Sequence, residues 1–419
     1  MPQNLAEKIL QRQCSEPLEH PGQIVQCRVS GVLANDITAP LAIKSFQAMG
    51  ATRVFDRDRI FLVCDHFTPN KDIASAEQVK TVREFARKMN ITHYYEGGSC
   101  GVEHALLPES GLVGPGDVIV GADSHTCTYG GLGSFATGLG STDIAAAMAL
   151  GRTWFKVPET LKIELQGDLP PFIEGKDLIL ALIGRIGVDG ALYQALEFAG
   201  PVLEKLGLED RMTMANMAIE AGAKAGLFPA DQATLEYLAQ TGRHGDQPLA
   251  PDAGARYADT VTLDAGTLRS QVACPHLPEN VHAAAELTHV ALDQVVIGSC
   301  TNGRISDLRK AASILDGQTA APGLRLIVLP ATPKVYSQAL EEGLLQIFMK
   351  AGAVVGPPTC GPCLGGHMGI LASGETCLAT TNRNFKGRMG SLDSEVYLAG
   401  PAVAAASALT GRITPPDAL

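Results

Sequence analysis

At 419 residues, with 46% hydrophobic and 18% charged content, the chain can build two or three cores and is too apolar for disorder. A net charge of −11 without a long Lys/Arg block excludes a general nucleic-acid or membrane-surface binder. Ten cysteines are too few for a disulfide scaffold, the segment from Met1 to Cys14 is polar, and no apolar run reaches membrane-helix length, so the expected compartment is the reducing cytoplasm.

Residues 4–13 predict a short helix, and 24–33 a strand. Asn35-Asp36-Ile37-Thr38-Ala39-Pro40 reads as a turn into a helix over 39–49, with Pro40 in its first turn. The apolar run 59–64 predicts a buried strand ending in Asp65-His66. Residues 75–89 space Val79, Val82, Phe85, Ala86 and Met89 as a helix does. Residues 96–104, with Glu103-His104, read as a polar loop. A strand at 118–121 leads into Asp123-Ser124-His125, and a small-residue helix spans 138–151. Polar residues at strand carboxyl ends are where open parallel sheets bind ligands.

Composition shifts near Pro158. A strand at 160–165, a helix at 176–188 and a helix at 212–225 follow, the last placing Asn216 and Glu220 four apart on one face. Residues 241–256 read as an exposed loop. From Val290 the pattern restarts: strands at 294–298, 324–329, 353–355 and 377–380, helices at 304–315 and 333–350. The expected division is 1–157, 158–289 and 290–419, an α/β fold of three α/β/α units around a central cleft.

Chemistry concentrates in two cysteine loops. Cys360 and Cys363 lie in Gly-Pro-Pro-Thr-Cys-Gly-Pro-Cys-Leu-Gly-Gly, which has no packing surface of its own; Cys300 lies in Gly-Ser-Cys-Thr-Asn-Gly-Arg. A thioredoxin-type pair would open a helix near the start of its domain, whereas Leu-Gly-Gly follows Cys363. Structural zinc needs four ligands as two close pairs, and only one pair is present, with His367 the nearest imidazole. Three thiolates fit a four-iron cluster with one iron left without a cysteine, a Lewis acid for a leaving hydroxyl. Cys14, Cys27, Cys64 and Cys377 read as small hydrophobes. Three pairs, Asp65-His66, Glu103-His104 and Asp123 with His125, offer acid–base groups for a dehydration. Arg304, Arg383 and Arg388 in or beside Gly/Asn-rich loops suit a carboxylate ligand. A zinc-stabilised binding protein without chemistry is the alternative of a different class.

Seven stretches together resemble the aconitase superfamily: Asn35 to Ala42, Asp65-His66, Gly121 to Thr128, Asn216 to Glu220, Gly298 to Arg304, Gly361 to Gly365 and Thr381 to Phe385. They run in family order across almost the whole chain. The resemblance implies that Cys300, Cys360 and Cys363 ligate one [4Fe–4S] cluster with one iron not bound by cysteine. It further implies that His66 with Asp65 helps a hydroxyl leave, that His104 pairs with Asp123 and His125 with Glu220, and that Ser124 and Asn216 line the pocket. Asn382, Arg383 and Arg388 match the substrate-binding stretch. The implied reaction dehydrates and rehydrates a small di- or tricarboxylate hydroxy acid. Leu41 and Cys127-Thr128 depart from aconitase proper toward the isopropylmalate and homoaconitate branch. The chain stops shortly after Thr414-Pro415-Pro416, without the mobile swivel domain of single-chain members, so a separate small subunit is the expected partner.

Overall fold

The computed structural model describes residues 2–419, and among these no helix is long and apolar enough to cross a membrane. In chain order the first unit contains α1 (Leu5–Gln13), β1 (Ile24–Arg28), β2 (Gly31–Asn35), α2 (Ala39–Ala48), β3 (Ile60–Val63), α3 (Ile73–Met89), β4 (His93–Tyr95), α4 (Glu103–Glu109), β5 (Val118–Gly121), β6 (Phe135–Gly138), α5 (Ser141–Leu150) and β7 (Arg152–Lys156). Strands β4-β3-β2-β5-β6 form a parallel sheet, and β1 and β7 form a separate antiparallel ribbon. The unbroken apolar run of β3 follows from burial on both faces: Ile60 and Leu62 pack into one core, Phe61 and Val63 into another. Helix α3 starts where Asp72 accepts from the Ser75 amide (2.8 Å) and stops where Asn90 turns left-handed (φ +53°).

The second sheet, all parallel, has the order β10-β9-β8-β11, from β8 (Thr160–Gln166), β9 (Ala195–Ala199), β10 (Ala225–Leu227) and β11 (Asp259–Asp264); α6 (Gly175–Ile186), α7 (Leu208–Met217) and α8 (Gln232–Gln240) accompany it. The third unit is built from β12 (Gln271–Ala273), β13 (Val281–Ala283), β14 (Gln294–Gly298), α9 (Ile305–Leu315), β15 (Arg325–Leu329), α10 (Pro333–Glu341), α11 (Leu344–Lys350), β16 (Val354–Val355), β17 (Thr376–Ala379), β18 (Glu395–Ala399) and α12 (Pro401–Thr410). Its sheet runs β13-β12-β18-β17-β14-β15-β16, parallel from β18 to β16 and antiparallel at the β12 edge. A division at 289 therefore cuts this sheet, because β12 and β13 pair into it from before that residue.

The structure corrects several sequence expectations. The strand at 24–33 is two strands: the Ser30 amide bonds the Val118 carbonyl (2.7 Å), and the chain leaves the ribbon for the main sheet. The helix at 333–350 breaks at Gly343, whose φ of +77° is left-handed. The helix at 212–225 ends at Met217, and a 3₁₀ turn, Ala218–Ala221, carries Glu220 to a left-handed Gly222. Asn216 and Glu220 thus do not share one α-helical face. Cys14 and Cys27, expected as separate small hydrophobes, meet across an antiparallel bridge with Cα atoms 4.3 Å apart and are disulfide-bonded.

Between α6 and α9 lies a buried acidic group. Asp177 accepts from the amides of Gln271 (2.7 Å) and Glu174 (3.1 Å), Asp307 accepts from Asn302 (3.0 Å), and Glu174 pairs with Lys310. Burial pushes Glu174, Asp177 and Asp307 each up to about 7. A carboxyl raised above its unfolded value binds its proton more tightly when folded. Its contribution is complete below about pH 4 and is lost as pH rises toward 7. Conformational stability should therefore fall between pH 5 and pH 7 as these carboxyls lose their protons. Asp177→Asn should flatten that decline, as read from urea midpoints at the two ends of the window.

Candidate active site

The loops after β3, β5, β14, β16 and β17 converge, so the carboxyl ends of the first and third sheets face each other. Direct bonds join them: the Cys360 amide donates to the Asp65 carbonyl (3.0 Å), the Thr359 hydroxyl to the same carbonyl (2.6 Å), and the Val102 amide to the Ala331 carbonyl (2.7 Å). The second unit approaches through α7, which packs on the 3₁₀ segment Ser124–Leu132; a Cβ on Gly131 would lie 2.8 Å from the Met212 backbone.

Cys300, Cys360 and Cys363 are buried and free. Cys300 follows two residues at positive φ, Gly298 (φ +133°), which a glycine adopts freely, and Ser299 (φ +125°), which is strained for a side-chain-bearing residue. The Asn382 side chain bridges the thiols: its Nδ2 donates to Cys300 Sγ (3.2 Å), and its Oδ1 lies 3.5 Å from Cys363 Sγ. The Asn216 Nδ2 also donates to Cys300 Sγ (3.3 Å), and Arg388 Nη2 to Cys363 Sγ (3.6 Å). Burial pushes Cys300 up to about 12. A hydrogen bond between Cys360 and Cys363 raises the first and lowers the second, which the Arg388 guanidinium also favours as thiolate.

This donor set fits an iron–sulfur cluster on its chemistry: two buried thiols that resist ionisation until a cation arrives, beside a third favoured as thiolate, with amide and guanidinium donors aimed at sulfur. A single ion is a poorer match. Among the described residues, the ligating atoms that lie within 4.8 Å of one another are those of Asp36–Asp65–His66 and Glu103–His104–Asp123, and the three thiols form no such group. His367 points elsewhere, its Nε2 3.1 Å from the Pro69 carbonyl.

The acid–base groups surround the thiols. His66 Nδ1 donates to Asp65 Oδ1 (2.7 Å) and lies 3.4 Å from Asp36 Oδ1. Burial pulls the imidazole down, but Asp65 and Asp36 outweigh it and hold it well above its ordinary value, which favours the protonated form. His104 Nε2 bonds Asp123 Oδ1 (3.0 Å), its Nδ1 lies 3.1 Å from the Tyr129 hydroxyl, and burial lowers it toward the neutral form. His125 Nε2 bonds Glu220 Oε1 (3.0 Å), with its Nδ1 3.4 Å from Asp123 Oδ1. Burial and the Arg383 charge oppose its protonation, yet Asp123 and Glu220 raise it overall. Arg383 Nε donates to Glu220 (2.7 Å). Ser124 is half-buried at the start of the 3₁₀ segment.

Each candidate named from sequence thus lies in this region, with two corrections of emphasis. Arg304 is turned from any ligand: its Nη1 donates to the Thr301 carbonyl (2.8 Å) and its Nη2 to the His104 carbonyl (3.1 Å), joining the Cys300 loop to α4. Residues 96–104 are not all loop, since α4 begins at Glu103 and presents Glu103 and His104 in its first turn. Sequence reasoning gave Asp36 no role. Its two oxygens accept from the amides of His66 (3.1 Å) and Phe67 (2.8 Å), and its position at the end of β2 was the available signal. Tyr129 and Lys176 were also missed: Tyr129 was passed over beside the Asp and His residues of its loop, and a lysine in an amphipathic helix reads as surface.

A family model described as aconitase family (aconitate hydratase) matches residues 7–287 and 280–411. A 3-isopropylmalate dehydratase large subunit of Nitratidesulfovibrio vulgaris (strain DSM 19637 / Miyazaki F) is 68% identical over 419 residues, the whole of both chains. One of the same name from Desulfatibacillum aliphaticivorans is 59% identical, again over the whole of both chains. A 3-isopropylmalate dehydratase large subunit 1 of Pyrococcus abyssi is 58% identical, over 100% of this chain and 99% of its own. Among solved structures, aconitase X of Thermococcus kodakaraensis in its holo-form superposes with a TM-score of 0.51 at 14% identity, covering 88% of each chain, which is a likeness of fold. With the family model spanning most of its length and relatives matching it end to end, the chain belongs to the aconitase family.

Proposed function

We propose that this chain is the large, cluster-binding subunit of a 3-isopropylmalate dehydratase, a hydro-lyase that interconverts 2- and 3-isopropylmalate in leucine biosynthesis. The observation that carries the reading is the bond from the Cys360 amide to the Asp65 carbonyl, because it ties a thiol loop to the segment that holds a protonated His66. Cys300, Cys360 and Cys363 would hold one [4Fe–4S] cluster, which when bound supplies Lewis acidity at an iron without a cysteine ligand.

The residues of the chain do the rest. His66, kept charged by Asp65 and Asp36, gives its proton to the departing hydroxyl from Nε2. His104 with Asp123 and His125 with Glu220 hold fixed imidazole orientations around the reacting carbons. Ser124 and Asn216 line the pocket. Arg383, whose Nε is spent on Glu220, offers its terminal nitrogens to a substrate carboxylate, beside Asn382 and Arg388. The "large subunit" name of the relatives supports a small-subunit partner; we assign it the swivel-domain type that closes over the thiol pocket, and place the pair in the cytoplasm.

The test is an anaerobic assay of the chain alone and with a candidate small subunit, on isopropylmalate and on homoaconitate. The chain alone should be brown and nearly inactive, and the pair should turn over isopropylmalate. Preference for homoaconitate would move the chain to the sister activity. Robust turnover by the chain alone would remove the need for the partner, and colourless protein with stoichiometric zinc would end the cluster reading.

A further inference from the structure

Lys176 lies in the first turn of α6 and has no solvent exposure. Burial strips its ammonium of water, and the start of a helix is where the macrodipole repels a cation. Its Nζ donates to two carbonyls, Thr380 (3.0 Å) and Thr381 (2.6 Å). Carbonyls orient an ammonium without neutralising it. Burial lowers it to about 8, against the opposing pull of Cys300, Asp307, Cys363 and Glu174. Both carboxyls are engaged elsewhere: Asp307 accepts from Asn302 (3.0 Å) and the Arg304 amide (2.9 Å), and Glu174 holds Lys310. What remains is the thiol side of the site.

The carbonyls it grips are also placed for that purpose. The Thr380 carbonyl accepts from the hydroxyls of Thr301 (2.6 Å) and Ser299 (3.3 Å), the two residues flanking Cys300. Thr381 precedes Asn382, whose amide touches both Cys300 and Cys363. One ammonium thus fastens the Cys300 loop and the Asn382 loop, and it comes from the second unit rather than the third.

We propose that Lys176 is a positioning residue for the iron–sulfur cluster: its buried ammonium, held by two carbonyls, offsets the net negative charge of a three-thiolate cluster and raises its reduction potential, while those two hydrogen bonds hold Asn382 against the sulfurs. This rests on the cluster reading above. Three thiolates around a doubly positive four-iron core leave the assembly net negative, and further electron uptake adds to that charge. A buried cation nearby favours the more reduced form.

The experiment compares wild type with Lys176→Met, Lys176→Gln and Lys176→Arg after anaerobic reconstitution with iron and sulfide. It reads apoprotein circular dichroism, iron per chain and the cluster midpoint potential. The two uncharged variants should keep the apoprotein fold and show a midpoint shifted to more negative potential, or lose iron outright; Lys176→Arg should stay near wild type. An unchanged potential at full iron loading in Lys176→Met or Lys176→Gln overturns the inference and leaves the cluster reading intact. Unfolded apoprotein in all three variants assigns the lysine to the fold and also overturns it. Failure of the wild type itself to take up iron sinks the cluster reading instead.

Discussion

Cys300→Ser should abolish iron binding, and with it all turnover of the assembled enzyme, whereas Cys377→Ser should leave iron content unchanged. The contrast is geometric. Cys300 sits beyond the end of β14, on backbone turned at Ser299, with the amides of Asn216 and Asn382 both directed at its sulfur. Cys377 is equally buried, but it lies inside β17 among apolar side chains, and its polar neighbour is the Gln294 amide at 3.9 Å. A serine oxygen is a harder and less readily ionised donor than a thiolate, so two thiols and a hydroxyl cannot replace three thiolates. Iron and acid-labile sulfide per chain after anaerobic reconstitution give the answer, and equal loss in both variants would mean that the wrong thiols were chosen.

The second large effect belongs to His66. His66→Gln should lower kcat by about 10²–10⁴, the range for loss of a general acid, while iron content stays at the wild-type level. Retained iron separates a proton-transfer defect from collapse of the site. Asp36→Asn makes a finer test of the same claim. Asp36 lies 3.4 Å from the imidazole and helps keep it protonated. An acid whose pKa is raised works below that pKa and fails as pH climbs through it. Weakening the raising influence should move the alkaline fall of kcat to lower pH, with the acidic side little changed. A pH profile whose alkaline limb stays in place would remove Asp36 from this role.

Much of the site was legible in sequence because loop chemistry survives without coordinates. Thiols set among Gly, Pro and Thr, and histidines beside carboxylates at strand ends, announce themselves by what they lack, namely packing partners. The pairings came from the family resemblance, not from local pattern: His104 Nε2 lies 3.0 Å from Asp123 Oδ1 and 3.6 Å from Glu103 Oε1 because it sits in α4, a seven-residue helix with Pro108 inside it that reads as loop. Asp36 escaped notice because it accepts from backbone amides, which carry no sequence signature. Lys176 escaped because a lysine in an amphipathic helix reads as surface, and only the packing of α6 against the third unit buries it. In the fold, strands with two buried faces were found, while the splits at Ser30 and Gly343 turn on hydrogen-bond partners and on a left-handed φ that composition does not encode.

The Asp65 carbonyl accepts from both Thr359 and Cys360, and Asp65 in turn steers His66. Oxygen damage that frees the Cys360 loop would then slacken the proton donor in the same event. Such a protein would lose a thiol ligand and its acid's orientation together, because one carbonyl anchors both.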